Sequence, residues 1–220
     1  MGFIEDFFDT LQTYNETVFP ITILTYLLGL VAVYFVSRRS SQASRFVSFI
    51  LSFLWLWSGI VFQVLFYGPS DIELLGMTIQ GMWYFTGVLF VIQSLLFIVY
   101  GMVKNRLSFS FDNSPCSVVG AAFVIYSMVI YPLIGFLTGY VYPKYPIFGS
   151  APCPVTIFTW GLLLWTSKKV PLIVAVIPFI WGIMGIMPVL FLNVYADVGL
   201  VLSSFVGFPL IILHNRNIEK

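Results

Sequence analysis

The chain has 220 residues, of which 60% are apolar, 19% are aromatic and only 9% are charged, with a formal net charge of +1. Soluble domains average about 45–50% apolar and about 25% charged residues. Ten basic and nine acidic side chains are too few to cover a water-exposed surface. The near-neutral charge excludes a basic stripe for nucleic acid, and two cysteines with one histidine exclude a disulfide framework, a four-ligand zinc site and a haem site. We therefore expect an integral membrane protein that has the lipid bilayer as a partner, binds no nucleic acid and carries no cofactor.

Seven stretches are apolar enough to predict membrane-spanning helices, each of which needs about 20 residues. They cover residues 18–37, 46–67, 79–103, 117–142, 152–167, 170–192 and 196–213. The fifth is short and begins with Pro152 and Pro154, which a helix tolerates in its first turn because those N–H groups lack partners anyway. The sixth and seventh are separated only by a short stretch around residues 193–197, so a single long kinked segment is the alternative.

The distribution of charge favours seven spans. Lys and Arg concentrate on the cytoplasmic side, and seven spans place nine of the ten basic residues on one side, with only Lys144 opposite. Six spans would put Arg216 and Lys220 outside. We therefore expect a multi-pass protein of the cell inner membrane with its N-terminus outside and its C-terminus inside. The outer side then collects the acids Glu5, Asp6, Asp9, Glu16, Asp71, Glu73 and Asp197.

Two parts of the chain are similar to each other. Pro-x-Thr-x-x-Thr begins at Pro20 and again at Pro154, while Phe-x-Trp-x3-Gly contains Trp55 and again Trp181. Chance agreement between apolar spans is the alternative to a duplication. A duplication predicts an all-α fold in one membrane domain, 1–220: a first three-helix half at 18–103, a linker helix at 117–142 and a second half at 152–213. This 3+1+3 parallel repeat is similar in layout to SWEET-type transporters, whose Pro-Gln signature is absent here.

The polar side chains of the predicted spans are neutral. No Asp, Glu, Lys, Arg or His lies deep in any of them, which argues against an ion pump. Neutral side chains near the proposed two-fold axis predict a solute-binding site instead. The alternative for each threonine is a hydrogen bond to its own helix, and for each tryptophan a packing role. The predicted substrate-binding residues are Thr22, Thr25, Trp55, Gln63, Cys153, Thr156, Thr159 and Trp181.

A proline-rich segment from Tyr142 to Pro154 predicts a stiff outer loop that runs into the fifth span. Cys153 would then lie at a helix N-terminus, which favours a thiolate able to bind a soft metal ion or to react covalently. The alternative is a small apolar-like cysteine under the loop, and one thiol without a partner is a poor metal carrier. In the fourth span, Gly135 and Gly139 form a small-xxx-small pair, which we expect to serve close helix packing.

Motifs spread over most of the chain carry a family resemblance. They include Leu54-Trp55-Leu56-Trp57, Tyr131-Pro132-Leu-Ile-Gly135, Pro152-Cys-Pro-Val-Thr-Ile-Phe-Thr159 and Asp197-Val-Gly199-Leu. Together they resemble an uncharacterised bacterial multi-pass membrane family, the domain of unknown function six-zero-six-four. The resemblance implies an integral membrane protein without an established activity. A histidine often stands in that family where this chain has Gln63, which puts any role that needs an imidazole there in doubt.

Three functions from different classes follow. The leading one is a transporter or channel that passes a small neutral or soft solute through the bundle. The alternative is a non-transporting sensor or partner-binding subunit that uses the proline-rich loop. An enzyme is not expected, because no base other than Glu16 is placed to assist Cys153. A tightly packed centre with cavities only under the outer loop would favour the binding role, and homo-oligomerisation stays open.

Overall fold

The computed structural model describes residues 3–38, 40–74 and 77–218. Within these ranges the chain forms eight helices and one two-stranded hairpin. The strands β1 (Ile72–Leu74) and β2 (Met77–Ile79) pair antiparallel, with Ile72 opposite Ile79. The helices are α1 (Phe3–Thr17), α2 (Phe19–Ser37), α3 (Ser41–Tyr67), α4 (Met82–Val103), α5 (Pro115–Leu137), α6 (Pro152–Leu163), α7 (Ile173–Phe191) and α8 (Tyr195–Ile218).

Six of these helices, α2 to α5, α7 and α8, are long and apolar enough to cross a membrane, and they indicate a multi-pass membrane protein. α7 and α8 are separate helices that pack side by side, so they do not form one kinked segment. The predicted fifth span, 152–167, is helical only over the 12 residues of α6. Such a helix is about 18 Å long, against about 30 Å for the hydrocarbon core of a bilayer. Helix length therefore does not confirm a seventh span.

The six long helices surround α6. Around the bundle, α2 packs on α3, α3 on α4, α4 on α7, α7 on α8, and α8 on α5. The Tyr26 hydroxyl of α2 donates to the Met128 carbonyl of α5 at 3.3 Å, which closes the ring. Every residue from 148 to 166 is buried. Side chains on the outside of the ring, such as Leu65 and Leu202, are apolar and exposed, as lipid-facing positions require.

Indole hydrogen bonds fix α6 to its neighbours. Trp55 of α3 donates to the Thr159 hydroxyl of α6 at 2.9 Å. Trp160 of α6 donates to the Ser204 hydroxyl of α8, also at 2.9 Å. Each bond satisfies two buried polar groups at once, and such groups are costly to leave unpaired in an apolar interior. The centre of the bundle is therefore packed and specifically oriented.

Glycines allow α5 and α6 to approach closely. A Cβ added at Gly120 or at Gly161 would lie 2.7 Å from the carbonyl oxygen of the other residue, so only glycine fits. The predicted packing pair behaves differently. Gly135 packs against the ring of Tyr145 in the outer loop, and Gly139 lies beyond the end of α5 with a φ of 83°. Within the bundle, this pair therefore does not pack two helices together.

The two ends of α6 lie at opposite ends of the bundle. Just before α6, the Ser150 carbonyl accepts a hydrogen bond from Tyr14 of α1 at 2.6 Å. Just after it, the Trp165 carbonyl accepts from the backbone N–H of Ser110, which belongs to the connection between α4 and α5, at 2.6 Å. The chain thus passes from one end of the bundle to the other through α6 and its short flanking segments.

The proposed repeat is not confirmed. Its two halves would begin with α2 and α6, yet α2 has 19 residues at the periphery and α6 has 12 at the centre. The matching loop acids differ as well, since Asp71 is exposed and Asp197 is only 1% exposed. Asp197, which the charge distribution places on the outer side, is buried, because the turn that begins α8 packs inward against α5.

A side chain compensates for the proline inside α7. Pro178 has no N–H, so the carbonyl of Val174, four residues earlier, lacks its helical partner. The side-chain amide of Gln93 on α4 donates to this carbonyl at 2.9 Å. The hydrogen bond that compensates for the interruption of α7 therefore also connects α4 to α7.

Candidate functional site

A partly enclosed cavity of about 230 Å³ lies between α4, α7 and the N-terminus of α6. It is at the end of the bundle that the charge distribution predicts to be outside. Its wall is almost entirely apolar and includes the flexible side chains of Met82, Met184 and Met187. An apolar cavity of about 150 Å³ engineered in another protein binds benzene. This cavity therefore has room for a small organic ring or a short chain.

One buried carboxylate lines the cavity. Asp197 is 1% exposed and lies at the start of α8, where the helix dipole favours a negative group. Tyr131 of α5 donates to its Oδ1 at 2.6 Å, and the thiol of Cys153 also interacts with it. Both partners are neutral donors, so the carboxylate is held in place without an ion pair from either of them.

A π-helical turn in α5 positions this carboxylate. Tyr131 donates its N–H to the carbonyl of Tyr126, five residues earlier, so the two side chains project from the same face. The Tyr126 hydroxyl donates to the Ala196 carbonyl at 3.0 Å, while the Tyr131 hydroxyl reaches Asp197. In an ordinary α-helix, two residues five positions apart project about 140° apart around the helix axis. The turn therefore lets α5 hold two adjacent residues of α8.

Trp181 of α7 adds a buried donor to the wall, which also includes Thr86, whose hydroxyl donates to a carbonyl of its own helix at 3.1 Å. The Trp181 indole N–H is buried and makes no hydrogen bond of normal geometry, although the Cys153 thiol lies nearby. Its ring packs edge to face on Phe90, at 4.9 Å between centroids, and Phe90 packs in turn on Trp55 at 4.3 Å. A buried donor without a partner costs about 1–3 kcal/mol. The cavity thus offers one donor and one acceptor to a ligand.

The proline-rich outer loop is fixed to α1, a helix that the span prediction did not include. The amide of Asn15 donates to the carbonyls of Pro143 and Tyr145 at 2.6 and 3.0 Å. The Tyr14 hydroxyl donates to Ser150, and burial raises the pKa of this phenol well above its ordinary value, so the hydroxyl stays a donor. The end of this loop lines the cavity, which therefore lies under the outer loop.

Two of the eight predicted site residues, Cys153 and Trp181, meet in this cavity. Thr156 and Thr159 donate to carbonyls four residues earlier in their own helix, at 2.9 and 2.8 Å. Trp55 is fully buried and bonded to Thr159. These three residues therefore fill the packing roles given above as their alternatives.

The other three predicted residues lie elsewhere. Thr25 donates to the carbonyls of Thr22 and Phe148 at 3.0 and 3.3 Å, so it faces the outer loop. The Thr22 hydroxyl is buried and makes no hydrogen bond. Gln63 is fully buried in the π-helical part of α3, and neither of its amide atoms has a partner; the same holds for the hydroxyl of Ser58, five residues earlier. None of the three is among the described residues that line the cavity.

Cys153 does not have the surroundings of a reactive thiolate. It is buried, and it faces the carboxylate of Asp197 where a thiolate would need a cation. Across the described part of the chain, no three His, Cys, Asp or Glu side chains lie close enough together to hold a metal ion. The geometry therefore matches the alternative of a small apolar-like cysteine under the loop, here donating to a neighbouring acid.

Sequence reasoning missed Asp197 and Tyr131. The signal for Asp197 was present, because it is the only charged residue between positions 170 and 213. The hydropathy pattern places it in an outer loop, since it follows Asn193 between two apolar stretches. The partner Tyr131 had no such signal, because its contact with Asp197 depends on how α5 packs against α8.

Comparison with known proteins gives one match. No curated protein and no solved structure matches the chain. The model of a family of unknown function, DUF6064, matches residues 4–220 and so confirms the resemblance drawn from the sequence motifs. Because this match covers almost the whole length, the protein belongs to the family of unknown function DUF6064.

Proposed function

We propose that this protein is a membrane-embedded binding protein whose outer cavity takes a small ligand. The cavity under the proline-rich loop, with one buried carboxylate in an apolar wall, is the observation that carries this proposal. Ligand sites in proteins are mostly apolar hollows with a few placed polar groups. A sensor or a partner subunit would use such a site to respond to a ligand without moving it across the membrane.

The chemistry of the wall limits the ligand. Asp197 accepts hydrogen bonds and attracts positive charge, so the ligand's polar end should be a donor or a cation. The methionines and aromatic rings require an apolar body, and methionine adapts to varied shapes. We therefore propose a short apolar molecule with an amine or a similar donor as the ligand class. A carboxylate-bearing molecule of the same size would be repelled.

Transport of a small neutral solute is the second candidate. It is favoured by Gln63 and Ser58, which are buried on one face of the π-helical part of α3 without hydrogen-bond partners. The packing of α6 argues against transport, because this helix occupies the centre of the bundle and is held there by the hydrogen bonds that the indoles of Trp55 and Trp160 donate. As a binding protein, the chain reconstituted in liposomes should give no glycerol-driven swelling above that of empty liposomes.

The membrane arrangement is part of the proposal. α6 and its buried flanking segments would make a seventh crossing, with the N-terminus outside and the C-terminus inside in a cell inner membrane. Two observations support this: the ends of α6 lie at opposite ends of the bundle, and basic side chains gather at the end that holds Asn105. There Arg45 and Lys168 both donate to Asn105, at 2.7 and 3.3 Å.

Thiol protection tests the cavity. In a Cys116→Ser variant, Cys153 is the only thiol. Its burial makes it slow to react, so its modification by excess methyl methanethiosulfonate is followed over an extended time course by mass spectrometry of the purified protein. Hexylamine should slow this modification at least about tenfold, a difference of about 1.4 kcal/mol. Hexanoate, which has the same chain length and the opposite charge, should not slow it.

Matched variants decide the result. Met187→Trp fills the cavity and should abolish protection by hexylamine, whereas Leu190→Trp, on the exposed face of the same helix, should leave it intact. Asp197→Asn should remove the preference for hexylamine over hexanoate. Equal protection by the two probes, or protection that survives Met187→Trp, would contradict the proposed ligand class.

A further inference from the structure

A basic pocket of about 600 Å³ lies at the end of the bundle opposite the cavity. It is formed where α4 ends, α7 begins and α8 ends. Four cationic side chains from these three places line it: Lys104, Arg106, Lys169 and Arg216. Among the described residues that line it there is no carboxylate. Four positive charges therefore converge from segments that are far apart in the sequence.

Backbone contacts hold the walls of this pocket in place. The side chain of Asn215 on α8 accepts from the Val170 N–H and donates to the Val170 carbonyl, both at 2.8 Å. These two hydrogen bonds fix the end of α8 to the segment before α7. On the opposite wall, Arg106 donates its N–H to the Tyr100 carbonyl at 2.7 Å, and the Lys104 ammonium lies 4.9 Å from the centre of the Tyr100 ring. The backbone segments that carry the cationic side chains are therefore held in place.

Asp112, the acid nearest in sequence to Arg106, is engaged elsewhere. Asp112 accepts hydrogen bonds from the Ser114 N–H and the Ser117 hydroxyl at the start of α5. These bonds lower the pKa of its carboxyl, so it stays ionised as part of the α5 cap. It does not line the pocket.

The pocket also has apolar walls. Pro171, Leu172 and Ile212 line it together with the cations, and the Leu172 side chain is exposed. A site for a free anion would not need these groups. A phospholipid that sits at the end of three membrane-spanning helices places its phosphate among cations and its acyl chains against apolar side chains.

We propose that this pocket binds the phosphate headgroup of an anionic phospholipid. Arg216 and Lys104 hold the phosphate from two sides, and Leu172 and Ile212 contact the upper part of an acyl chain. The bound lipid joins the ends of α4, α7 and α8. This site is independent of the outer cavity and of the function proposed for it.

Native mass spectrometry of the purified protein in detergent tests the site. Dioleoylphosphatidylglycerol should bind more tightly than dioleoylphosphatidylcholine. The double variant Lys104→Gln/Arg216→Gln should bind the anionic lipid about 25-fold more weakly, since each basic side chain near an anionic surface contributes about fivefold. Arg38→Gln is the control, because it removes a positive charge just after α2 without touching the pocket. It should change binding less than about twofold.

Three outcomes would overturn the proposal. Equal binding of the two lipids would show that the headgroup charge is not recognised. Equal losses in the double variant and in Arg38→Gln would show that the charge acts without the pocket. Displacement of the lipid by inorganic phosphate at the same concentration would assign the pocket to a free anion.

Discussion

Tyr14 shows how one buried hydroxyl can connect three parts of the molecule. It donates to the Ser150 carbonyl in the outer loop and accepts from the indole N–H of Trp57 on α3, at 2.6 and 2.9 Å. Its ring packs edge to face on Phe62 and Phe66. The ring contacts are apolar and the hydroxyl contacts are directional, so the phenol fixes both the depth and the orientation of the loop.

Removal of this hydroxyl alone should therefore be costly. Tyr14→Phe keeps the ring but leaves the Trp57 N–H and the Ser150 carbonyl without this partner, at an expected cost of about 1–3 kcal/mol. Thermal unfolding in detergent, followed by tryptophan fluorescence, should show a lower Tm. The control is Tyr34→Phe, at a residue 57% exposed on the outside of α2, and its Tm should not change. A similar Tm for wild type and Tyr14→Phe would mean that the Tyr14 hydroxyl does not stabilise the contact between α1 and the loop.

Some residues of the cavity could be recognised from the sequence, and others could not. Cys153 and Trp181 stood out from the printed sequence and do share a cavity, which is lined by the first turn of α6 and the second half of α7. Asp197 was visible as an isolated acid, but its burial depends on Tyr131, and no local pattern reports that contact. A charged residue in an otherwise apolar stretch is therefore better interpreted as a buried site than as a loop residue.

Helices in this protein are interrupted where other elements compensate. Pro178 frees the Val174 carbonyl of α7, and Gln93 of α4 takes it. The π-helical turn before Pro132 aligns Tyr126 and Tyr131 with the start of α8. Sequence reasoning placed the six long helices within a few residues of their bounds, because hydropathy is a property of each segment. The interruptions could not be predicted from hydropathy, since the groups that compensate for them lie on other helices.

A double-mutant cycle tests this compensation. Gln93→Leu should destabilise the protein while Pro178 is present, because the Val174 carbonyl then has no donor. In a Pro178→Ala background the restored N–H satisfies that carbonyl within α7, so Gln93→Leu should cost less. The expected coupling is about 1 kcal/mol, which is typical of polar contacts between membrane helices. Additive effects on Tm would contradict the compensation.

At the scale of the whole molecule, six long helices enclose a short one that has no exposed residue. Composition alone predicted the membrane class, and hydropathy predicted where the chain would be helical. The repeat was inferred from matching motifs, but Pro20 and Pro154 begin helices with different surroundings, one peripheral and one central. Two segments with similar sequences can therefore both form helices, while packing with other helices decides where in the bundle each helix lies.

The orientation can be measured directly. Single cysteines introduced as Thr13→Cys on α1 and Ser41→Cys at the start of α3, in a Cys116→Ser/Cys153→Ala background, occupy exposed positions at opposite ends. An impermeant maleimide should label the first in intact cells and the second only after permeabilisation. The reversed pattern would invert the proposed orientation, and labelling of both in intact cells would contradict the proposed crossings.

The enclosure of α6 has a consequence for biogenesis. The ribosome makes α6 before α7 and α8, so the Trp160 indole emerges well before Ser204, its partner on the last helix. If α6 makes the proposed seventh crossing, a nascent chain at that stage has an inserted segment too short to span the bilayer alone, with part of its polar surface still unpaired. Completion of α8 is therefore the step that closes the bundle. Until then, we expect the growing chain to depend on the insertion machinery and to be open to membrane proteases.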